Sequence, residues 1–197
     1  MAAERSARGF SLVETVFVLG VGATVTAMAV PQLLTGLDDY RAAGAARYMS
    51  TRLQRTRMEA IARSAAVAMQ FVRGGGTYAY TEVVDGNRNG VLTREIESGI
   101  DRPLRPAERL SEQFTGVDFG TLPGLPPIDA GGTPPGDDPI RLGRADIATF
   151  TPLGTATAGT LYILGRGGAQ YALRIFGETA KTRLLKFDRR AGMWRPL

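Results

Sequence analysis

The chain has 197 residues and a formal net charge of +5, and it contains neither Cys nor His. The absence of these two residue types excludes disulfide bonds, thiol catalysis, zinc sites built from Cys and His, and a Ser-His-Asp triad. Arg supplies 22 of the 24 basic residues, so a single Arg carries little weight as a functional signal. A net positive charge is compatible with nucleic acid or anionic lipid as a partner but does not demonstrate either.

The first hydrophobic segment begins with a carboxylate. The stretch RGFSLVETVFVLG (8–20) places Glu14 among apolar residues, although a charge near the middle of a membrane helix costs about 2.5–3.5 kcal/mol. Residues 15–37 then carry no charge, and a helix of that length spans roughly 35 Å, enough for a bilayer core of about 30 Å. Two Arg precede the segment and two Asp follow it, which predicts a cytoplasmic N-terminus.

Three interpretations of this segment are open. A secretory signal peptide would be cleaved near Ala-Met-Ala, residues 27–29, whereas a plain membrane anchor would not be cleaved. Neither explains the carboxylate. A prepilin leader cleaved after Gly9 would make Phe10 the new N-terminus and place Glu14 in the first helical turn, where the macrodipole favours a negative charge. Glu14 would there pair with the α-ammonium group of its own chain or of a neighbouring subunit, which fixes the axial register between subunits.

The segment resembles the N-terminus of the type IV filament family of pilins and pseudopilins. The likeness lies in GFSLVE (9–14), in the apolar helix that follows, and in Pro31 within that helix. It implies that a membrane prepilin peptidase cuts after Gly9 and methylates Phe10, and that Glu14 sets the register during assembly. It also implies a single-pass bacterial inner-membrane protein with a periplasmic C-terminal domain that later joins a filament. Its partners would be other pilin or pseudopilin subunits and the inner-membrane assembly machinery.

An amphipathic pattern predicts that the helix continues beyond the membrane to about residue 65. At 100° per residue, one face collects apolar side chains and the other collects charged ones. The apolar face comprises Ala42, Ala46, Met49, Leu53, Ala60 and Ile61, and the charged face comprises Arg41, Arg52, Arg55, Glu59 and Arg63. We expect the apolar face to pack on the rest of the domain and the charged face to be solvated. A contact surface for acidic neighbours or nucleic acid is the alternative.

Strand-like runs follow this helix. Residues 66–72 and 77–84 flank RGGG and predict a hairpin. Four further strands are predicted nearer the C-terminus, at 147–152, 160–165, 169–176 and 182–188. Their close spacing predicts an antiparallel meander packed on the helix. The predicted fold class is therefore α+β, with a long N-terminal helix on an antiparallel β-meander, as in pilins.

The C-terminal half carries a narrower resemblance. TFTPLGTATAGTLYIL (149–164), followed by a strand ending in Gly and a basic last strand, is similar to the H-type minor pseudopilins of type II secretion, and the FimT minor pilins share that domain. The likeness covers residues 9 to about 72 and 146 to 190. It implies a minor pseudopilin of a type II secretion pseudopilus, or a subunit of a type IV pilus, that assembles through its N-terminal helix. Its head would contact other minor subunits or exported protein.

The predicted organisation has four parts: a leader (1–9), a transmembrane assembly helix (10–37), an amphipathic helix with the first strand (38–72), and a β-rich head (73–197). Within the head, residues 120–139 hold 6 Pro and 5 Gly, which excludes a helix or an internal strand there. We expect a surface loop that acts as a spacer. Recruitment of a partner is the alternative.

A polar stretch in the head predicts a candidate calcium loop. Asp85, Asn87 and Asn89 occupy positions 1, 3 and 5 of an EF-hand-like pattern, with Gly90 at position 6. Alternating oxygen-bearing side chains can converge on a hard cation. Position 12 is Ile96 rather than an acid, although acidic residues flank it. A polar hairpin turn is therefore the alternative, and we expect no other cofactor.

No catalytic constellation is recognisable, so we expect a structural subunit and not an enzyme. The alternative function is a DNA-binding minor pilin for DNA uptake, because residues 178–197 carry six basic and two acidic side chains. Phosphates would be contacted by Lys181, Arg183 and Lys186, and exposed bases would stack on Phe187 and Trp194. The FimT proteins that bind DNA use a Gly-Arg-x-Arg motif, which this chain lacks after Gly177.

Overall fold

The computed structural model describes residues 11–197. After α1 (Leu12–Arg63), the elements follow in the order β1 (Val67–Gly74), β2 (Thr77–Val84), α2 (Thr93–Glu97), β3 (Arg102–Pro103), β4 (Glu108–Arg109), α3 (Leu110–Gln113), β5 (Val117–Phe119), β6 (Ile140–Arg141), β7 (Ile147–Phe150), β8 (Gly159–Gly165), β9 (Gln170–Ile175), β10 (Thr182–Asp188) and β11 (Met193–Pro196). The predicted α+β class is confirmed. The chain divides into two compact units between Leu37 and Asp38, and each unit is described separately below.

The first sheet is built on the predicted hairpin. Strands β1 and β2 pair antiparallel from Val67 opposite Val84 to Gly74 opposite Thr77. The two residues between them, Gly75 and Gly76, have φ of 64° and 83°, the left-handed conformation that a two-residue hairpin turn requires and that glycine adopts without strain. The short strands β3 and β4 both pair with β2, and β7 pairs with the other edge of β1.

The second sheet contains most of the predicted meander. Its order is β11-β10-β9-β8-β5, with β6 also paired to β8. Strand β7 was predicted as the first strand of this meander, but it pairs with β1 in the first sheet. Alternating side chains identify a strand without identifying its neighbour, and the edge of β1 that β2 leaves free provides the backbone groups that β7 needs.

The main core lies where residues 38–63 of α1 meet both sheets. Ala42, Ala46, Met49, Leu53 and Ala60 are fully buried, as the helical periodicity predicts. They form one cluster with inward residues of β1, β2, β8 and β9. Burying a side chain of the size of Met or Leu stabilises the fold by about 1.5–3 kcal/mol.

Two residues of α1 differ from the predicted faces. Ile61 is 42% exposed, near the helix end, whereas Arg52 is only 9% exposed. Arg52 was placed on the solvated face. It is buried because carboxylates from the first sheet lie opposite it, and helical periodicity carries no information about them.

The Pro- and Gly-rich segment 120–139 is docked on the sheet and is not a free spacer. Leu125 is 4% exposed and packs with Tyr162, Ala172 and Leu185 on the face of the second sheet that points away from α1. The indole Nε1 of Trp194 donates a hydrogen bond to the Pro126 carbonyl at 3.0 Å. The segment therefore acts as a cover for this sheet face.

Candidate functional site

The N-terminal unit presents an apolar helical surface. Residues Leu12–Val30 form a span of 19 residues with a mean hydropathy of 1.8, and none of its side chains is buried within the chain. Length and composition fit a membrane crossing. An exposed apolar surface of this size is typical of a segment that contacts a membrane or another protein.

Glu14 lies in the first turn of this helix and is exposed. The Ser11 hydroxyl accepts a hydrogen bond from the Glu14 backbone N–H at 3.2 Å, so Ser11 caps the helix start. A carboxylate at this end is favoured by the helix macrodipole. The other two residues predicted to act in processing, Gly9 and Phe10, lie outside the described residues.

Lys186, predicted as a phosphate contact, lies in an ion pair. Its ammonium group donates to both carboxylate oxygens of Asp39, at 2.9 and 2.8 Å. The Tyr171 hydroxyl donates to one of the same oxygens at 3.1 Å. The hydrogen bond to Asp39 raises the pKa of Lys186. These contacts hold the first residues of the second unit against β9 and β10.

The three predicted phosphate contacts do not form a common surface. Thr182 and Lys186 point towards α1, where Thr182 accepts a hydrogen bond from Gln54. Arg183 therefore points to the opposite sheet face, since side chains alternate along a strand. Lys181 and Arg183 are exposed and line an open groove of about 500 Å³ beside Phe176.

The predicted base-stacking pair is already engaged within the fold. The Trp194 ring lies 5.3 Å from that of Phe187 and 5.8 Å from that of Tyr162, measured between centroids. Both side chains are half-buried against the cover segment. This packing makes Trp194 part of a small core on the second sheet and does not favour a role in base stacking.

The candidate calcium loop is closed by its own hydrogen bonds. The buried Asp85 carboxylate accepts three backbone N–H groups, from Asn87, Arg88 and Gly90, at 2.6–3.0 Å. The side-chain amides of Asn87 and Asn89 donate to the two oxygens of Glu95, at 3.1 and 2.9 Å. The loop thus brings together the predicted residues and adds Glu95, one of the acids that flank position 12.

A third carboxylate closes the base of the loop. Asp101 is fully buried and accepts the backbone N–H groups of Gly86 at 3.0 Å and Leu92 at 2.9 Å. The carboxylates of Asp85, Glu95 and Asp101 are thus each used by N–H donors. Within residues 11–197, no group of three or more acidic side chains is placed to hold a metal ion.

A buried charge network that the sequence did not predict lies between α1 and the first sheet. An Nη atom of Arg52 lies 3.4 Å from Glu82 and 3.1 Å from Glu108, and Arg105 reaches Glu82 at 3.0 Å. The Tyr48 and Tyr80 hydroxyls donate to Glu108 at 3.0 and 3.2 Å. Glu82 lies in the predicted strand β2 and Glu108 lies in the two-residue strand β4, and no sequence pattern places either of them opposite Arg52.

Opposing effects act on the acid groups of this network. Burial raises the pKa of Glu108, but hydrogen bonds from Tyr48, Tyr80 and Gln113, together with the charge of Arg52, lower that pKa by more. Burial raises the pKa of Tyr80 and its neighbours raise it further, so Tyr80 stays neutral and donates a hydrogen bond to Glu108. The network fixes α1 on the first sheet.

Comparison with known proteins gives one family. The family model described as Type II transport protein GspH matches residues 45–179, more than half of the chain. The match begins in α1 and covers both sheets as far as the turn before β10. No curated protein and no solved structure matches the chain.

Proposed function

Because the chain belongs to the GspH family of type II transport proteins, we propose that it is a minor pseudopilin that assembles into a type II secretion pseudopilus through its N-terminal helix. The observation that carries this proposal is the exposed apolar span Leu12–Val30 with Glu14 in its first turn. The span needs a bilayer before assembly and neighbouring helices after it. Its role is therefore structural, and no catalytic step is required of the chain.

Glu14 is the residue that gives assembly its register. Cleavage after Gly9 frees the α-amino group of Phe10, which the prepilin peptidase then methylates. In the low-dielectric interior of a helical bundle, an unpaired carboxylate is costly, and pairing with that amine on a neighbouring subunit offsets the cost. Subunits that bury Glu14 without an amine opposite are disfavoured, so the ion pair selects one axial offset.

The second compact unit, Asp38–Leu197, is consistent with the same proposal. Asp38 and Asp39 begin the compact unit, and Asp39 is fixed by Lys186 and Tyr171. We place this unit in the periplasm and the N-terminus in the cytoplasm, as expected for an inner-membrane subunit. The head surfaces then remain available to other minor subunits and to exported protein.

The first experiment is mass spectrometry of the mature N-terminus from cells with and without prepilin peptidase. We expect a peptide that begins with N-methylated Phe10 in the first case and an uncleaved chain in the second. A mature chain beginning at Val30 would show a signal peptide instead. An uncleaved chain in both cells would show a plain membrane anchor.

The second experiment tests assembly. The chain has no Cys, so a single Val18→Cys substitution allows disulfide crosslinking between neighbouring helices without interference. We expect Glu14→Gln to reduce crosslinking at least several-fold, because the charge that selects the register is removed. Ser11→Ala is the matched control, since it removes the helix cap and keeps the carboxylate. Equal crosslinking in Glu14→Gln and the parent chain would contradict the proposal.

DNA uptake is retained as a second candidate function because of one observation. Lys181 and Arg183 are exposed beside the same groove, next to the exposed ring of Phe176. Two cations and an aromatic ring at an open groove suit a single nucleic-acid strand. Lys186 is not included in this surface, because its ammonium group is paired with Asp39.

A further inference from the structure

Three arginines stand in one row across the second sheet. Arg141 of β6 is opposite Thr160 of β8, Thr160 is opposite Arg174 of β9, and Arg174 is opposite Arg183 of β10. Residues opposite each other in a sheet place their side chains on the same face, here the face that points away from α1. Like charges in neighbouring positions repel, so the row costs stability unless negative charge lies beside it.

A cavity of about 250 Å³ lies beside this row. The cover segment forms one wall through Asp129 and its neighbours, and the sheet forms the other through Arg141, Thr160, Tyr162 and Arg174. The residues that line the cavity include two with guanidinium groups, one with a carboxylate and three with hydroxyl groups, the last being Thr133, Thr160 and Tyr162. All of them belong to the second unit.

The acceptors within the chain leave part of this positive charge unmatched. Arg174 pairs with Asp129 at 2.8 Å and donates to the Thr160 hydroxyl at 3.2 Å, while its buried Nε has no partner among the described residues. Arg141 uses one nitrogen, which donates to the carbonyls of Thr133 at 2.8 Å and Pro134 at 2.9 Å. Two guanidinium charges thus face one carboxylate, whose side chain is 55% exposed.

The cavity also contains an unused hydroxyl group. Tyr162 is 2% exposed, and no group of the described residues hydrogen-bonds to its hydroxyl. Burial raises the pKa of Tyr162, the charges of Arg141 and Arg174 lower it, and the charge of Asp129 raises it. Arg141, Arg174 and Asp129 line the same cavity as Tyr162.

We propose that this cavity binds a carboxylate group, held by the guanidinium groups of Arg141 and Arg174 and by the hydroxyl of Tyr162. A carboxylate has two acceptor oxygens, which suits planar guanidinium donors, and its single charge balances the excess of one positive charge. A phosphate dianion would exceed that balance by one negative charge. The carboxylate comes from the C-terminus or an acidic side chain of a protein partner, or from a free small acid. The site does not depend on filament assembly.

The test uses the full chain in a mild detergent, with the fluorescence of its single Trp as the signal. Trp194 packs on Tyr162, so a ligand in the cavity alters its surroundings. The probes are succinate, a short acetylated peptide with a free C-terminal carboxylate, the same peptide as its amide, and inorganic phosphate. We expect saturable binding of the carboxylate probes, weakened at least tenfold by Arg174→Gln or Arg141→Gln and several-fold by Tyr162→Phe.

The matched control is Arg144→Gln, which makes the same charge change at an exposed residue outside the cavity. We expect it to bind as the parent chain does. Circular dichroism of each variant ensures that only folded protein is compared. Peptide acid binding more tightly than succinate and the amide supports a protein source, and equal binding of succinate supports a free acid. The proposal is overturned if no carboxylate probe saturates, if phosphate binds more tightly, or if the folded Arg141, Arg174 and Arg144 variants bind equally.

Discussion

The ammonium group of Lys186 donates to both carboxylate oxygens of Asp39, a residue that precedes it by 147 positions. The pair joins α1 to β10 at the start of the second compact unit, Asp38–Leu197. The two side chains are 38% and 45% exposed, so water screens part of their attraction. The contact therefore contributes more to the position of the helix than to the total stability.

Replacing this lysine should cause a small, pH-dependent loss of stability. We expect Lys186→Met to lower the free energy of unfolding by about 0.5–1 kcal/mol at pH 7. The pKa of Lys186 is raised in the folded state, so its contribution is fully present below the unfolded pKa of about 10.4 and is lost as the pH rises through the folded value. Urea unfolding of the full chain in detergent, at pH 7 and at about pH 11, measures the difference.

The matched control for this variant is Lys181→Met, because Lys181 is exposed and is the other lysine of the chain. We expect that substitution to change the unfolding free energy by less than about 0.5 kcal/mol at either pH. A loss in Lys186→Met that persists unchanged at high pH would show that packing, and not the ion pair, accounts for it.

Removing Arg52 should have a larger effect. Glu82 is 1% exposed and would keep Arg105 alone as its charged partner. Removing one partner of a buried ion pair costs about 3–5 kcal/mol. We therefore expect Arg52→Met to lower the free energy of unfolding by an amount in or just below that range. Arg55→Met, one turn along at an exposed position, should cost less than about 0.5 kcal/mol. Comparable losses in the two variants would contradict the assigned network.

The same network predicts sensitivity to acid. The pKa of Glu108 is lowered in the folded state, so its contribution to stability is present above the unfolded pKa of about 4.3 and is lost as the pH falls through the folded value. Unfolding followed between pH 6 and pH 3 should show this loss in the parent chain and a smaller one in Glu108→Gln. An identical acid response in both chains would show that other carboxylates are responsible.

The closed loop allows its structural role to be separated from calcium binding. Asp85 accepts three backbone N–H groups, so we expect Asp85→Ala to cost about 3 kcal/mol without added metal. The exposed Asp137→Ala serves as the control. If Asp85, Asn87 and Asn89 are calcium ligands, millimolar calcium will also raise the melting temperature of the parent chain and not that of Asp85→Ala. An unchanged melting temperature of the parent chain would show that the loop does not bind calcium.

The DNA-uptake alternative makes a residue-specific prediction. The affinity of the full chain for DNA should fall steeply between about 50 and 200 mM salt. It should also be lost in a Lys181→Ala, Arg183→Ala double variant. We expect Lys186→Ala to change it little, because that ammonium group is engaged by Asp39. No binding at about 50 mM salt, or equal binding by all variants, would exclude the alternative.

Local sequence patterns predicted where the strands lie better than they predicted which strands pair with each other. Strands were expected at 77–84 and 182–188, and β2 and β10 have those bounds, because side-chain alternation and glycine turns are local signals. The pairing of β7 with β1 depends on which sheet edge is free, which no local signal records. The short strand β5 and the helices α2 and α3 were missed, since elements of three to five residues show no clear period.

The candidate functional residues show the same contrast between local patterns, which were visible in the sequence, and long-range contacts, which were not. The spacing of Asp85, Asn87 and Asn89 was visible in the sequence, and the structure places them in one loop, with Glu95 as the acid that meets both asparagines. The pairing of Lys186 with Asp39 was not visible, because the two are far apart in the chain. The arginine row across the second sheet was also hidden, since 22 Arg in the chain make any one of them unremarkable by composition.

The pairing of β1 with β7 has a consequence for the order in which the head folds. Val67 pairs with Phe150, so one edge of β1 stays open until most of the chain has been synthesised. Contacts between distant residues form late, because a long loop must first be closed. During that interval the open edge is a template for pairing with other chains. Chains truncated before residue 147 should therefore aggregate, and the head should depend on protection by chaperones until β7 is in place.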